Sequence, residues 1–167
     1  MELPGLSACV LVMLSIAGGP MGLPAQAADA KERPVVGAIR WDAWHGEASS
    51  VGLAVEKSLG PKHWHCRLPF FAKEISDTRV EARGDTQEVM DKEIAYASAA
   101  GLDYWAFVTY APDSAMSRGL SLYLSSPRKA DIRFCLILQG GHIGAGGPAG
   151  GPAQVTRYVG YFKEPTY

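Results

Sequence analysis

Three observations predict a parallel α/β fold. Strand-like and helix-like patterns alternate along the chain once an apolar N-terminal segment has passed. Residues 101–110, Gly-Leu-Asp-Tyr-Trp-Ala-Phe-Val-Thr-Tyr, leave an amphipathic helix through a glycine and run on as an aromatic strand. Residues 34–41 and 131–138 are short apolar runs of the kind found in strands covered on both faces.

The N-terminus reads as an export signal. Residues 6–16 are apolar apart from Ser7 and Ser15, and Gly18-Gly19-Pro20 and then Ala25-Gln26-Ala27 follow. That small-x-small pattern predicts cleavage after Ala27, so residues 1–27 form a signal peptide and the protein is secreted or periplasmic. The run is shorter than the roughly 20 residues that span a bilayer. The segment lacks the usual basic residue, carrying Glu2 instead. Glu2 is also its only charged residue, so cleavage takes the net charge from −1 to zero. A neutral chain with scattered charges offers no electrostatic basis for nucleic acid, or for a membrane once the signal is removed. Cys66 and Cys135 remain after cleavage. A disulfide between them is permitted outside the cytoplasm, although Cys135 lies in an apolar strand pattern that also suits a small core residue. The domain proper is expected at residues 34–167.

The elements follow in order. Residues 34–41, Pro-Val-Val-Gly-Ala-Ile-Arg-Trp, form the first strand and enter the polar and aromatic turn Asp42-Ala43-Trp44-His45-Gly46. Residues 47–82, broken by Gly60-Pro61 and Pro69, read as a long excursion with little regular structure. Asp85-Thr86-Gln87-Glu88 predicts a capping box with Asp85 as N-cap. Val89, Met90, Ile94, Ala97 and Ala100 continue that helix to a stop at Gly101. After the aromatic strand, residues 114–125 predict a second helix with Met116, Leu120, Tyr123 and Leu124 on its apolar face. Residues 131–138 supply a third strand, residues 140–151 a glycine-rich loop, and residues 153–162 a third helix. Right-handed crossovers place the three strand ends, near residues 41, 110 and 139, on one rim.

Functional residues in such folds gather at the carboxyl ends of strands. Here those are Trp41, Asp42, Trp44 and His45, then Thr109 and Tyr110, then Gln139 and His142. Aromatic faces beside carboxylate, imidazole and amide groups suit a carbohydrate, whose rings stack on π-surfaces and whose hydroxyls need planar partners. The same aromatics also suit packing, with Asp42 as a turn former. Hydrolysis further needs two carboxyl groups flanking the bond, and only Asp42 lies at a strand end. Asp103 starts its strand and belongs to the opposite, structural rim.

Two motifs carry less. His63-Trp64-His65-Cys66 contains zinc-ligand types, but no second pair at ligand spacing follows, so no metal site is expected. The glycine-rich loop sits where phosphate loops occur yet lacks the Gly-Lys-Ser/Thr ending, and Pro148 and Pro152 favour a spacer. No cofactor is expected, and no oligomeric state follows from the pattern.

The chain resembles the glycoside hydrolase family 99-like and family 71-like proteins. The stretches that carry the resemblance are residues 36–44 (Val-Gly-Ala-Ile-Arg-Trp-Asp-Ala-Trp), residues 93–97 (Glu-Ile-Ala-Tyr-Ala) leading to residues 101–107, and residues 161–167 (Tyr-Phe-Lys-Glu-Pro-Thr-Tyr). The resemblance implies a (β/α)8 TIM-type barrel acting on glycans. This chain supplies the N-terminal three βα units, a truncated barrel, since complete barrels take about 250 residues. The family's acid/base glutamates belong to later strands, so no catalytic residue carries over and the chain alone is expected to be inactive. What carries over is the first-strand aromatic and acidic cluster, as part of a glycan-binding cleft. Together with the other strand ends, the expected polysaccharide- or oligosaccharide-binding residues are Trp41, Asp42, Trp44, His45, Thr109, Tyr110 and His142. The alternative is a non-catalytic secreted glycan-binding α/β module, and a weaker one is a nucleotide-binding domain using the glycine-rich loop.

Overall fold

Parallel pairing organises the chain. Strand β1 (Gly37–Arg40) pairs with β4 (Tyr104–Val108), which pairs with β5 (Arg133–Ile137), all in the same direction. Between β1 and β4 come helix α1 (Ser50–Leu59), an antiparallel hairpin of β2 (Ala72–Ser76) and β3 (Arg79–Ala82), and helix α2 (Gln87–Ala99). Helix α3 (Arg118–Ser125) separates β4 from β5, and α4 (Pro152–Tyr161) follows. The computed structural model describes residues 33–139 and 151–167. Residues 34–167 form one compact unit of mixed α/β type. The N-terminal segment expected to be a signal peptide and residues 140–150 of the glycine-rich loop, His142 included, lie outside the described residues.

The expected alternation is present, with three local corrections. Residues 47–82 are an ordered helix and hairpin rather than an irregular excursion. Ser49 caps α1, its hydroxyl accepting from the Gly52 amide at 3.1 Å, and Gly60-Pro61 follows its end. Val51, Ala54, Val55 and Leu59 do stand at helical spacing, but the residue that the helix buries is Gly52. A Cβ there would stand 2.2 Å from the Gly46 carbonyl, so the contact depends on backbone meeting backbone. Helix α1 is tied to the hairpin by the Ala82 amide, which donates to Glu56 Oε1 at 2.9 Å. The second correction concerns α2, whose cap is Thr86 rather than Asp85: Thr86 is extended and its Oγ1 accepts from the Val89 amide. At the far end Gly101 takes φ +81°, the left-handed conformation that stops a helix. The third is at residues 114–117, a 3-10 turn capped by Ser114 that precedes α3.

One face of the sheet carries the core. Trp105 and Phe107 from β4 and Phe134 from β5 meet Met90 and Ile94 of α2 and Leu120 and Tyr123 of α3, all buried. Burying a side chain of this size stabilises by about 1.5–3 kcal/mol. The Tyr123 hydroxyl avoids an unsatisfied burial by donating to the Ile132 carbonyl at 2.7 Å and the Lys129 carbonyl at 3.1 Å. The register places Ile39, Ala106 and Cys135 side by side on the other face, where Ile39 is 73 % exposed. Asp103 lies at the amino-terminal rim. Its carboxylate accepts from the Val36 amide at 2.7 Å, and its backbone bridges Val36 and Arg133. No helix of the described residues is long and apolar enough to cross a membrane.

Candidate functional site

Because the strands are parallel and in register, the ends of β1, β4 and β5 share one rim. There the Trp41 indole Nε1 donates to the Tyr110 hydroxyl at 2.7 Å, joining residues 69 apart in sequence. Trp41 is 50 % exposed. The Tyr110 carbonyl accepts from Arg157 Nη1 at 3.2 Å, so α4 also anchors this tyrosine. Beside it Trp41 and Trp44 border an apolar groove of about 350 Å³, whose far wall is α1 with Val51, Ala54 and Val55. The rim thus offers a ring oriented by a hydrogen bond, next to an apolar furrow.

The other predicted residues are placed differently. Thr109 is buried, and its amide and hydroxyl both donate to the Ile137 carbonyl, at 3.1 and 3.0 Å. It extends the β4–β5 ladder and does not face the rim surface. His45 is buried too. Its Nε2 shares a hydrogen bond with the Ser49 hydroxyl, whose oxygen already accepts from Gly52, so His45 serves the entry to α1. Gln139 lies two residues past the end of β5, and His142 lies outside the described residues.

Asp42 is drawn inward by an arginine. Arg40 Nε donates to Asp42 Oδ1 at 2.7 Å, and Arg40 Nη2 donates to Glu93 Oε2 at 2.6 Å. The guanidinium lies 4.4 Å from the Trp105 ring centroid, a cation–π contact. All three charged side chains are largely buried. Burial raises the pKa of both carboxyl groups, against the opposing pull of Arg40. Helix α3 closes over Asp42 at Gly119, where a Cβ would stand 2.1 Å from Oδ2. Sequence inspection missed this unit. Its one local signal was Arg40, a cation in an otherwise apolar strand, since a buried charge needs a partner. Glu93 is 53 residues away, and nothing near Arg40 in the chain points to it.

The His63–Cys66 segment is a 3-10 turn whose groups go separate ways. His65 is buried, with Nε2 bonded to the Gly60 carbonyl at 2.7 Å and Nδ1 3.1 Å from Glu74. His63 lies against Trp64, and Cys66 is an exposed free thiol. Cys135 is a half-buried free thiol whose pKa burial raises.

No family model matches the chain, and neither a curated protein nor a solved structure does.

Proposed function

We propose that the chain is an exported glycoside hydrolase-like protein that acts on or binds a polysaccharide or oligosaccharide at its strand-end rim. Its three parallel strands are then the first βα units of a (β/α)8-type barrel. One observation carries the glycan: the Trp41–Tyr110 hydrogen bond, which holds an exposed indole beside the apolar groove at Trp44. A fixed aromatic face suits the C–H face of a sugar ring, and little freedom is lost on binding. Support for the barrel comes from the sheet itself. Its helix-bearing face is packed, while the opposite face, which would line a barrel, presents Ile39. Export rests on the apolar run and Ala25-Gln26-Ala27.

Titrating the purified protein with a panel of oligosaccharides, read by tryptophan fluorescence and calorimetry, tests the rim. Trp41→Ala and Trp44→Ala are each expected to weaken binding by about tenfold, or about 1.4 kcal/mol of ring contact. Full affinity in both variants would rule out this rim.

A second reading, binding without hydrolysis, is favoured by Asp42. The acidic residue at the rim is committed to Arg40 and lies under α3, so it is poorly placed to flank a glycosidic bond. Release of new reducing ends from a bound oligosaccharide separates the two readings: release identifies hydrolysis, and binding without release identifies the module.

A further inference from the structure

A second groove, of about 390 Å³, lies between the β2–β3 hairpin and α2. Aromatic rings connect it to the rim. Trp44 meets Phe71 edge-on at 5.9 Å, Phe71 meets Phe70 at 5.2 Å, and Phe70 meets Tyr96 at 5.3 Å. Phe70 is 50 % exposed and lines the groove.

The groove's charges do not balance locally. Glu88 is engaged by Lys92 at 2.7 Å, and Glu81 by Arg79 at 3.1 Å. Lys73 stands opposite Glu81 in the hairpin register, yet it forms no ion pair among the described residues. Arg83 pairs with no carboxylate among them either. Its Nη1 donates to the His45 carbonyl at 2.9 Å, leaving the rest of its five-donor fork unused by that bond. The backbone makes room for that position. Gly46 has φ +50°, and a Cβ on it would stand 2.6 Å from Arg83 Nη1. Gly84 lies so close to Trp44 and Phe71 that a Cβ there would stand 2.8 Å from each. The Gly84 amide donates to the Trp44 carbonyl at 2.7 Å. Two cations with spare donors thus share the groove with the exposed Phe70 ring, and Arg83 is held in place before any ligand arrives.

We propose that this groove is a subsite for an acidic glycan. Phe70 receives a sugar face, and Lys73 and Arg83 receive the anionic substituent, a carboxylate or a sulfate. The groove continues the rim through Trp44 and Phe71, so a chain seated at Trp41 runs on toward Lys73. The subsite therefore rests on the glycan reading of the rim.

The test compares an oligouronide, its carboxyl-reduced neutral counterpart and a sulfated oligosaccharide by calorimetry on the full chain. At least one anionic chain is expected to bind about tenfold tighter than the neutral one, as charge-assisted hydrogen bonds would give. Added salt should erode that margin. Lys73→Gln should bring the anionic chain down toward the neutral one while leaving neutral binding unchanged. Lys73 is exposed and makes no ion pair among the described residues, so its loss should leave the thermal melt in place. Lys73→Glu should push the anionic chain below the neutral one. Equal binding of acidic and neutral chains overturns the subsite but leaves the glycan reading standing. An anionic preference that survives both Lys73 variants also overturns it. Binding of none of the three removes the glycan reading and the subsite together.

Discussion

Trp41 and Tyr110 are joined by a 2.7 Å hydrogen bond from the indole Nε1 to the phenolic oxygen, which links the ends of β1 and β4. The bond is exposed, so its worth to folding is small. Its larger effect is to fix the indole in one orientation. Tyr110→Phe is expected to leave the melting temperature nearly unchanged and to weaken the proposed glycan binding by about two- to tenfold, the value of one neutral hydrogen bond. Paired calorimetry and thermal melts check this, and unaltered affinity would show that the indole needs no such anchor.

Two glycines in helices predict opposite outcomes. Gly119→Ala drives a methyl into the Asp42 carboxylate and should destabilise the fold by about 1–3 kcal/mol. Gly160 in α4 has nothing within 4 Å of its virtual Cβ, so Gly160→Ala should stabilise by about 0.5–1 kcal/mol. Urea denaturation of the two variants, run side by side, measures both. Equal effects would contradict the close approach of α3 to Asp42.

The buried carboxyl groups of Asp42 and Glu93 predict a pH dependence. Burial raises both above their ordinary values of 3.8 and 4.5, so in that window the folded chain binds more protons than the unfolded one. Stability contributed by these groups is therefore greatest at low pH and declines as pH rises through the raised values. Asp42→Asn removes one such titration while Arg40 keeps Glu93. Its stability should fall less than that of the wild type as pH rises from about 4 to 7, the range just above ordinary carboxylate values. Urea midpoints across that range provide the comparison. Parallel curves would remove Asp42 as a source of the slope.

Tyr123 is fully buried, and its hydroxyl serves two carbonyls. Tyr123→Phe keeps the ring among Trp105, Phe107 and Phe134 but leaves the Lys129 and Ile132 carbonyls without that donor. The expected loss is about 1–2 kcal/mol, read from chemical denaturation with an unchanged m-value. A loss below the error of the measurement would mean that water replaces the hydroxyl.

The alternation of strands and helices, the left-handed stop at Gly101 and the position of α4 were legible in the sequence because each follows from local chemistry. Apolar runs give strands, spaced apolar residues give helices, and a glycine ends one. Parallel direction also followed, since a helix between two strands returns the chain to the same edge. The common rim of Trp41 and Tyr110 was a consequence of that direction.

Tertiary structure alone decided which rim residues face outward. Thr109 and Tyr110 are neighbours, but pairing with Ile137 turns Thr109 inward while Tyr110 stays at the surface. It likewise set α1 on Gly46 through a glycine contact that no hydrophobic period records. The largest difference is Asp42. By its position it was a rim carboxylate, and by its partners it belongs to a buried unit with Arg40 and Glu93. The physical reason is range. Propensity and periodicity act over a few residues, whereas a buried charge is satisfied by whatever the fold brings within 3 Å.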